Sequence, residues 1–286
     1  MNILVTGCNG QLGHEVQNLS VEHNTHRFIF TDVAELDICD EASVVETVER
    51  EAVDCIINCA AYTAVDKAEG DEAMAKRLNA DAPGILARAV EKRKGIMIQI
   101  STDYVFDGTG CVPYREDMPT CPCSAYGRTK LEGENQALSA CRQTVILRTA
   151  WLYSPYGNNF VKTMMRLGQE RPNLGVVVDQ VGTPTYARDL AAAIFAVIEK
   201  GAKRGIYHFS DEGVISWYDF TKAIHRIAGI ASCNVRPLLT EQYPTPAQRP
   251  HFSVLDKSKI KETYQIEIPY WEDSLRECID RLKQQG

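Results

Sequence analysis

Gly7-Cys8-Asn9-Gly10-Gln11-Leu12-Gly13 follows directly on an apolar run, Ile3 to Thr6, and opens a stretch of helical periodicity, Gln11 to Leu19. A strand that turns this tightly into a helix constrains the fold more than any other feature of the chain. In this pattern Gly7 permits the turn, Gly10 lets the backbone approach a pyrophosphate, and Gly13 allows helix and strand to pack closely. The helix N-terminus then attracts the anion. A bare strand-to-helix turn is the alternative, and three glycines in this context favour the dinucleotide-binding reading. About twenty residues on, a second strand, Phe28 to Thr31, ends at Asp32, whose carboxylate suits the hydroxyls of an adenosine ribose. Val33, Ala34 and Glu35 offer no arginine to a 2′-phosphate, so Asp32 fits NADH, although Arg27 or a more distant cation could still serve NADPH.

Further apolar runs, Cys55 to Cys59, Ile96 to Ile100 and Val145 to Leu147, alternate with helical stretches. The expected helices are Gln11 to Leu19, Glu41 to Glu51 behind an Asp40 cap, and one long segment from Glu69 to Lys94. This βαβ rhythm predicts an α/β fold: a Rossmann-type, doubly wound parallel sheet over residues 1–150, with ligands at the carboxyl ends of its strands. Asp37-Ile38 would then lie near an adenine, and Cys59-Ala60-Ala61-Tyr62 would border the dinucleotide. After Trp151 the rhythm loosens into helices at Phe160 to Arg171, Ala187 to Lys200, Trp217 to Ala228 and Trp271 to Leu282, around a Pro-rich stretch, Pro237 to Pro250. Residues 151–286 are therefore expected to form mainly a smaller substrate-binding lobe, with some segments returning to the first domain.

The chain has 286 residues, 44% of them hydrophobic, enough for a substantial core. Its 38 acidic and 31 basic residues give a formal charge of -7 without a basic run, which argues against nucleic acid as a partner. The sequence runs from Met1 straight into an apolar strand and has no membrane-length apolar stretch, so a cytoplasmic protein without a membrane partner is expected. Ten scattered cysteines read as reduced thiols. Cys121-Pro122-Cys123 alone looks clustered, and it lacks the second ligand pair of a zinc site.

Tyr126 and Lys130 stand four residues apart where a helix should begin, so both side chains share a face. A nearby ammonium favours phenolate, lowers the tyrosine pKa, and makes the phenol a usable acid towards a forming alkoxide. The fourth strand ends in Ser101-Thr102-Asp103-Tyr104-Val105-Phe106-Asp107-Gly108, which places the Thr102 hydroxyl near the same substrate oxygen.

With these motifs the sequence resembles the extended short-chain dehydrogenase/reductase superfamily, and within it the dTDP-4-dehydrorhamnose reductase family. The likeness spans nearly the whole chain, through residues 60–69, Arg148 to Tyr153, Gly157 to Phe160, Asp179 to Thr185 and Arg249-Pro250. It implies NAD(P)H-dependent reduction of a nucleotide-linked keto sugar in polysaccharide precursor synthesis, by a monomer or homodimer. Tyr126 would be the proton donor, and Lys130 would hold the nicotinamide ribose. Thr102 and Asp103 would contact both substrate and cofactor, and Trp151 would contact the sugar. Gly10-Gln11-Leu12, Asp32, Asp37-Ile38 and Ala60-Ala61-Tyr62 would contact the cofactor. Lys67 and Glu69 read instead as solvated helix residues. No metal is expected: Glu15 matches one ligand of a magnesium-bridged dimer found in part of the family, but Arg188 falls where another carboxylate would be needed.

Dehydratases of the superfamily place Asp-Glu after the threonine, whereas this chain has Asp103-Tyr104, which favours direct hydride delivery over elimination. Epimerases usually lack the run from Thr102 to Gly108. The alternative from another class is a non-catalytic dinucleotide-binding regulator resembling the regulatory subunit of methionine adenosyltransferase. Fold alone does not separate it from an enzyme, and the intact Thr102, Tyr126 and Lys130 favour the enzyme.

Overall fold

The computed structural model describes residues 1–285. Its central sheet is built from β1 (Asn2–Thr6), β2 (Arg27–Thr31), β3 (Cys55–Asn58), β4 (Ile96–Thr102), β5 (Thr144–Thr149) and a sixth strand, Gly205–His208. The spatial order is sixth strand, β5, β4, β3, β1, β2, and every pairing is parallel. Chain direction across the sheet reverses at β1 and β3, and the carboxyl ends there form the crevice in which doubly wound sheets bind ligands.

The strands are apolar on both sides because helices cover both faces. Ile3, Val5 and Ile57 pack with the helices α1 (Gln11–Ser20) and Ala187–Glu199, whereas Leu4 and Ile56 pack with α2 (Glu41–Arg50) and Ala82–Lys92. Alternate residues of one strand thus enter two different cores. Beneath the crevice a buried polar chain crosses three strands. Thr6 donates to Asn58 at 2.6 Å, Asn58 to Gln99 at 2.8 Å, and Gln99 to the Ile100 carbonyl at 2.8 Å.

The Asp40 side chain caps α2 through the Ala42 and Ser43 amides, as its position predicts. The long helix expected from Glu69 to Lys94 is instead broken into pieces. Asp71, after Gly70, caps a new helix, Glu72–Lys76, by accepting from Met74 N, and a π turn, Arg77–Asp81, leads into Ala82–Lys92. Pro83 has no N–H for the Asn79 carbonyl four residues earlier, which loosens the turn there. That opening is used, since the Asn79 side chain receives the Tyr62 amide and donates to the Tyr62 carbonyl and Thr129.

In the C-terminal half, Ala187–Glu199 and Gly205–His208 return to the sheet, and the strand pairs with β5. The short helix Ser258–Tyr264 also packs on the sheet core, whereas Phe160–Glu170, Trp217–Ala228 and Trp271–Gln285 gather around Tyr153, Phe220, Leu275 and Ile279 in a separate core. They flank a parallel pair, Asn173–Val177 with Asn234–Leu238. Glu15, on α1, is fully buried and meets Arg281 at 2.8 Å and Arg188 at 3.8 Å. All ten cysteines are free thiols, with Cys111, Cys121 and Cys123 exposed. Among the described residues no helix is long and apolar enough to cross a membrane.

Candidate active site

A cleft of about 810 Å³ opens at the carboxyl ends of the strands. Gly7, at φ +64°, forms its floor: a Cβ there would lie 2.7 Å from the Ala60 backbone. Gly13 does not line the cleft. It lies beneath the loop, where a Cβ would collide with the Gly7 carbonyl, so α1 can approach β1 only without a side chain. Gly10, Gln11 and Leu12 face the opening at the N-terminus of α1. The Gln11 carboxamide oxygen accepts from Asn159 at 2.9 Å, which ties the loop to a segment of the C-terminal half.

Asp32 closes β2 and is fixed to the glycine loop, its carboxylate accepting the Asn9 amide at 3.0 Å and the Val33 amide at 2.8 Å. Asp37, Ile38, Ala60 and Ala61 line the same end. Tyr62 is not a lining residue. Its backbone is held by Asn79, and its ring packs beside Tyr126 against Ala68, Ala75 and Ala125.

The other end of the cleft brings Thr102, Asp103, Tyr126, Lys130 and Trp151 together. Thr102 ends β4, accepts the Tyr104 amide at 3.2 Å and donates to Asp103 at 3.0 Å. Tyr126 and Lys130 stand on the helix Ala125–Ala140, whose N-terminus is capped twice. The Ser124 hydroxyl accepts the Gly127 amide at 3.1 Å, and Glu69 accepts the Ala125 amide at 2.8 Å. Glu69 therefore anchors the helix of the proton-donor candidate and is not a simple solvated residue. Sequence reasoning missed it because the contact joins residues 56 apart.

The electrostatics differ from the expected ammonium-activated phenolate. Burial pushes the Tyr126 phenol above its ordinary pKa, with Asp103 and Tyr104 adding to the rise and the Thr102 hydroxyl opposing it. Burial also lowers Lys130 to about 8, against the pull of Glu134. The Lys130 ammonium donates to the Ile100 carbonyl at 2.6 Å, so it is anchored to β4 rather than spent on the phenol. Asp103 is raised to about 6, chiefly by burial. Desolvation dominates here because all three groups lie in a crevice walled by protein.

Trp151 follows β5 at φ +48°, uncommon for a bulky residue, and stacks on Trp217 with ring centroids 3.5 Å apart. Trp151 lines the catalytic end of the cleft, and Trp217, which backs it from the C-terminal core, is a neighbour no motif announced. One turn after Lys130 on the same helix, Glu134 receives Ser101 at 2.5 Å and a two-pronged Arg148 pair at 2.9 and 2.7 Å, all fully buried.

Known proteins match this chain from end to end. Residues 1–284 match the family model described as RmlD substrate binding domain. A curated dTDP-4-dehydrorhamnose reductase from Aggregatibacter actinomycetemcomitans is 39% identical, over 96% of this chain and 97% of the relative. A probable dTDP-4,6-dihydroxy-2-methyloxan-3-one 4-ketoreductase from Streptomyces antibioticus is also 39% identical, over 98% of this chain and 95% of the relative. Among solved structures, a dTDP-4-dehydrorhamnose reductase from Clostridium acetobutylicum is 44% identical, with a TM-score of 0.95 over 99% of this chain and 100% of that one. Another, from Bacillus anthracis in complex with NADP, is 36% identical with a TM-score of 0.94, covering 98% and 99% of the two chains. A Rossmann-type cleft, a Thr102, Tyr126 and Lys130 constellation at its mouth, and relatives matched from end to end agree: the chain belongs to the dTDP-4-dehydrorhamnose reductase family.

Proposed function

We propose that the protein reduces the C4 keto group of dTDP-4-dehydro-L-rhamnose to dTDP-L-rhamnose with NADPH or NADH, in nucleotide-sugar synthesis for surface polysaccharide. The observation that carries this reading is the convergence of Thr102, Tyr126, Lys130 and Trp151 at one end of a cleft whose other end is a glycine loop and a ribose-ready carboxylate. In this reading the protein works in the cytoplasm, as a monomer or homodimer, and needs no metal.

The residues present fit a dinucleotide. The tight loop is possible only because Gly7 and Gly13 lack a Cβ, which at Gly7 would strike the Ala60 backbone and at Gly13 the Gly7 carbonyl, and Gly10, Gln11 and Leu12 at the start of α1 line the cleft where a diphosphate would lie. Gly10, Gln11 and Leu12 would hold the diphosphate, Asp32 a ribose, and Asp37, Ile38, Ala60 and Ala61 the adenine side. When bound, the nicotinamide cofactor supplies the hydride. Tyr126, its pKa raised by burial, stays a neutral phenol at physiological pH and so holds the proton that the developing C4 alkoxide needs. The Thr102 hydroxyl accepts the Tyr104 amide and has its one hydrogen on Asp103, and turning that hydrogen from Asp103 to the same substrate oxygen would add a second donor there. Lys130, anchored on the Ile100 carbonyl, holds a positive charge beside that oxygen and beside the nicotinamide ribose. Trp151, held in place by its stack on Trp217, would supply an apolar wall for the sugar.

The deciding experiment presents purified protein with dTDP-4-keto-6-deoxy sugars of both C5 configurations while nicotinamide oxidation is followed. Turnover of the L-configured 4-keto sugar is expected. NADH binding without turnover of any keto sugar would overturn the reading in favour of a regulator.

Asp32 makes NADH acceptable because its carboxylate meets ribose hydroxyls and would repel a 2′-phosphate. Asp32→Ala is expected to shift the ratio of kcat/KM values towards NADPH. A wild-type kcat/KM a hundredfold higher with NADPH than with NADH would contradict this role.

The pH profile follows from Lys130. An amine is charged below its pKa, so lowering it from 10.5 to about 8 moves the loss of positive charge into the mildly alkaline range. kcat/KM, which reports the free enzyme, should fall as pH rises through about 8. A profile level to pH 10 would show that the charge is not required.

A further inference from the structure

The Asp66, Arg249 and Tyr104 side chains form a chain that the chemistry above does not use. Arg249 ends the Pro-rich stretch of the C-terminal half, and its guanidinium forks. One nitrogen meets Asp66 at 2.7 Å, and the other donates to the Tyr104 hydroxyl at 3.0 Å. Asp66 accepts the Ala247 amide at 3.2 Å with its second oxygen, so a single carboxylate of the N-terminal half fixes both the backbone and the side chain of this segment. Tyr104 lines the cleft, with its ring edge-on to Tyr126, centroids 5.5 Å apart and planes at 78°. Its backbone is equally confined, because a Cβ on Gly127 would collide with the Tyr104 carbonyl.

A phenolic oxygen accepts and also donates one hydrogen. With Arg249 donating to it, the Tyr104 hydroxyl keeps its own hydrogen, and among the described residues no protein acceptor takes it. A cationic donor also polarises the hydroxyl and strengthens it as a donor in turn. We infer that Tyr104 offers the sugar a second hydroxyl donor beside Tyr126, and that Arg249, held by Asp66, is the residue that positions it. The inference rests on the reductase reading for the identity of the sugar. It also gives the contact between the two halves a purpose, since Tyr104 is aimed only when the segment carrying Arg249 is seated on Asp66. A substrate with an acceptor oxygen at that place gains the bond, and one lacking it leaves a polarised hydroxyl unpaired.

The test reads sugar binding separately from cofactor binding, through the KM for the keto sugar, the calorimetric Kd for dTDP-L-rhamnose and the Kd for NADH. Tyr104→Phe removes the hydroxyl and leaves the Asp66 to Arg249 pair, whereas Arg249→Met removes the guanidinium. Each should weaken both sugar readouts about tenfold or more and leave the NADH Kd unchanged. The double variant should be no worse than the worse single one, since both remove one interaction. Arg249→Lys keeps a charge for Asp66 without the fork, and should resemble Arg249→Met. Unchanged sugar binding in Tyr104→Phe overturns the inference, as do single effects that multiply in the double variant or wild-type binding in Arg249→Lys. If Arg249→Met does not fold, Tyr104→Phe and Arg249→Lys decide. A wild-type protein that binds dTDP-L-rhamnose yet reduces no keto sugar would sink the reductase reading, while the calorimetric series would still judge the role of Tyr104.

Discussion

Tyr126→Phe should lose roughly a hundred- to ten-thousand-fold in turnover, the range that a positioned general acid contributes, while binding NADH as the wild type does. Hydride arrival at a carbonyl carbon leaves negative charge on oxygen, and that charge is stabilised most by a proton already in place. The ring of Tyr126 packs with Tyr62 against Ala68, Ala75 and Ala125, so removing only the hydroxyl leaves the packing intact. The loss should therefore appear in kcat rather than in stability. Lys130→Met gives the contrast, since the ammonium serves both charge and ribose: turnover and cofactor affinity should fall together. Steady-state kinetics with a parallel NADH titration separates the two. Near wild-type reduction by Tyr126→Phe would remove it from the role of proton donor.

Glu134→Ala should be the most destabilising single change proposed, by about 3–5 kcal/mol, because it strands a buried guanidinium. Glu134 and Arg148 are 1% and 2% exposed, and Glu134 also accepts the Ser101 hydroxyl. An isolated surface pair would be worth little, but here neither partner can turn to water. The thermal midpoint should drop by roughly ten degrees. Glu134→Gln, which keeps hydrogen-bonding capacity and loses the charge, should fall between. A loss under about 1 kcal/mol in Glu134→Ala would mean that water or a neighbouring group reaches Arg148, whose third nitrogen already lacks a partner among the described residues.

Much of this architecture was legible because its causes are local. The glycine loop, the alternating apolar strands and the Asp40 cap each depend on residues a few positions apart, and the structure holds them where the sequence put them. The helix expected from Glu69 to Lys94 failed at Gly70-Asp71 and before Pro83, where capping and a missing amide outweighed helical periodicity. The expected phenolate failed for another reason: helical spacing places Tyr126 and Lys130 on one face but says nothing about desolvation or about Ile100 taking the ammonium. Glu69, Trp217 and Arg249 were beyond reach because their contacts cross between distant segments. The Arg249-Pro250 and Glu69 motifs were visible, and only the fold shows what they touch.

The polar chain Thr6, Asn58 and Gln99 bears on assembly as well as on the finished site. Parallel strands have no hairpin turn to set their alignment, and apolar residues such as Ile3, Val5, Ile56 and Ile57 could slide against each other with little change in hydrophobic contact. The three polar side chains break that degeneracy. Shifted by a residue, Asn58 would point to the opposite face of the sheet, leaving the Thr6 and Gln99 groups dry and unmatched, each at a cost of about 1–3 kcal/mol. The chain thus acts as a key for strand alignment: only the native pairing of β1, β3 and β4 satisfies it, and misaligned intermediates are penalised before any ligand has bound.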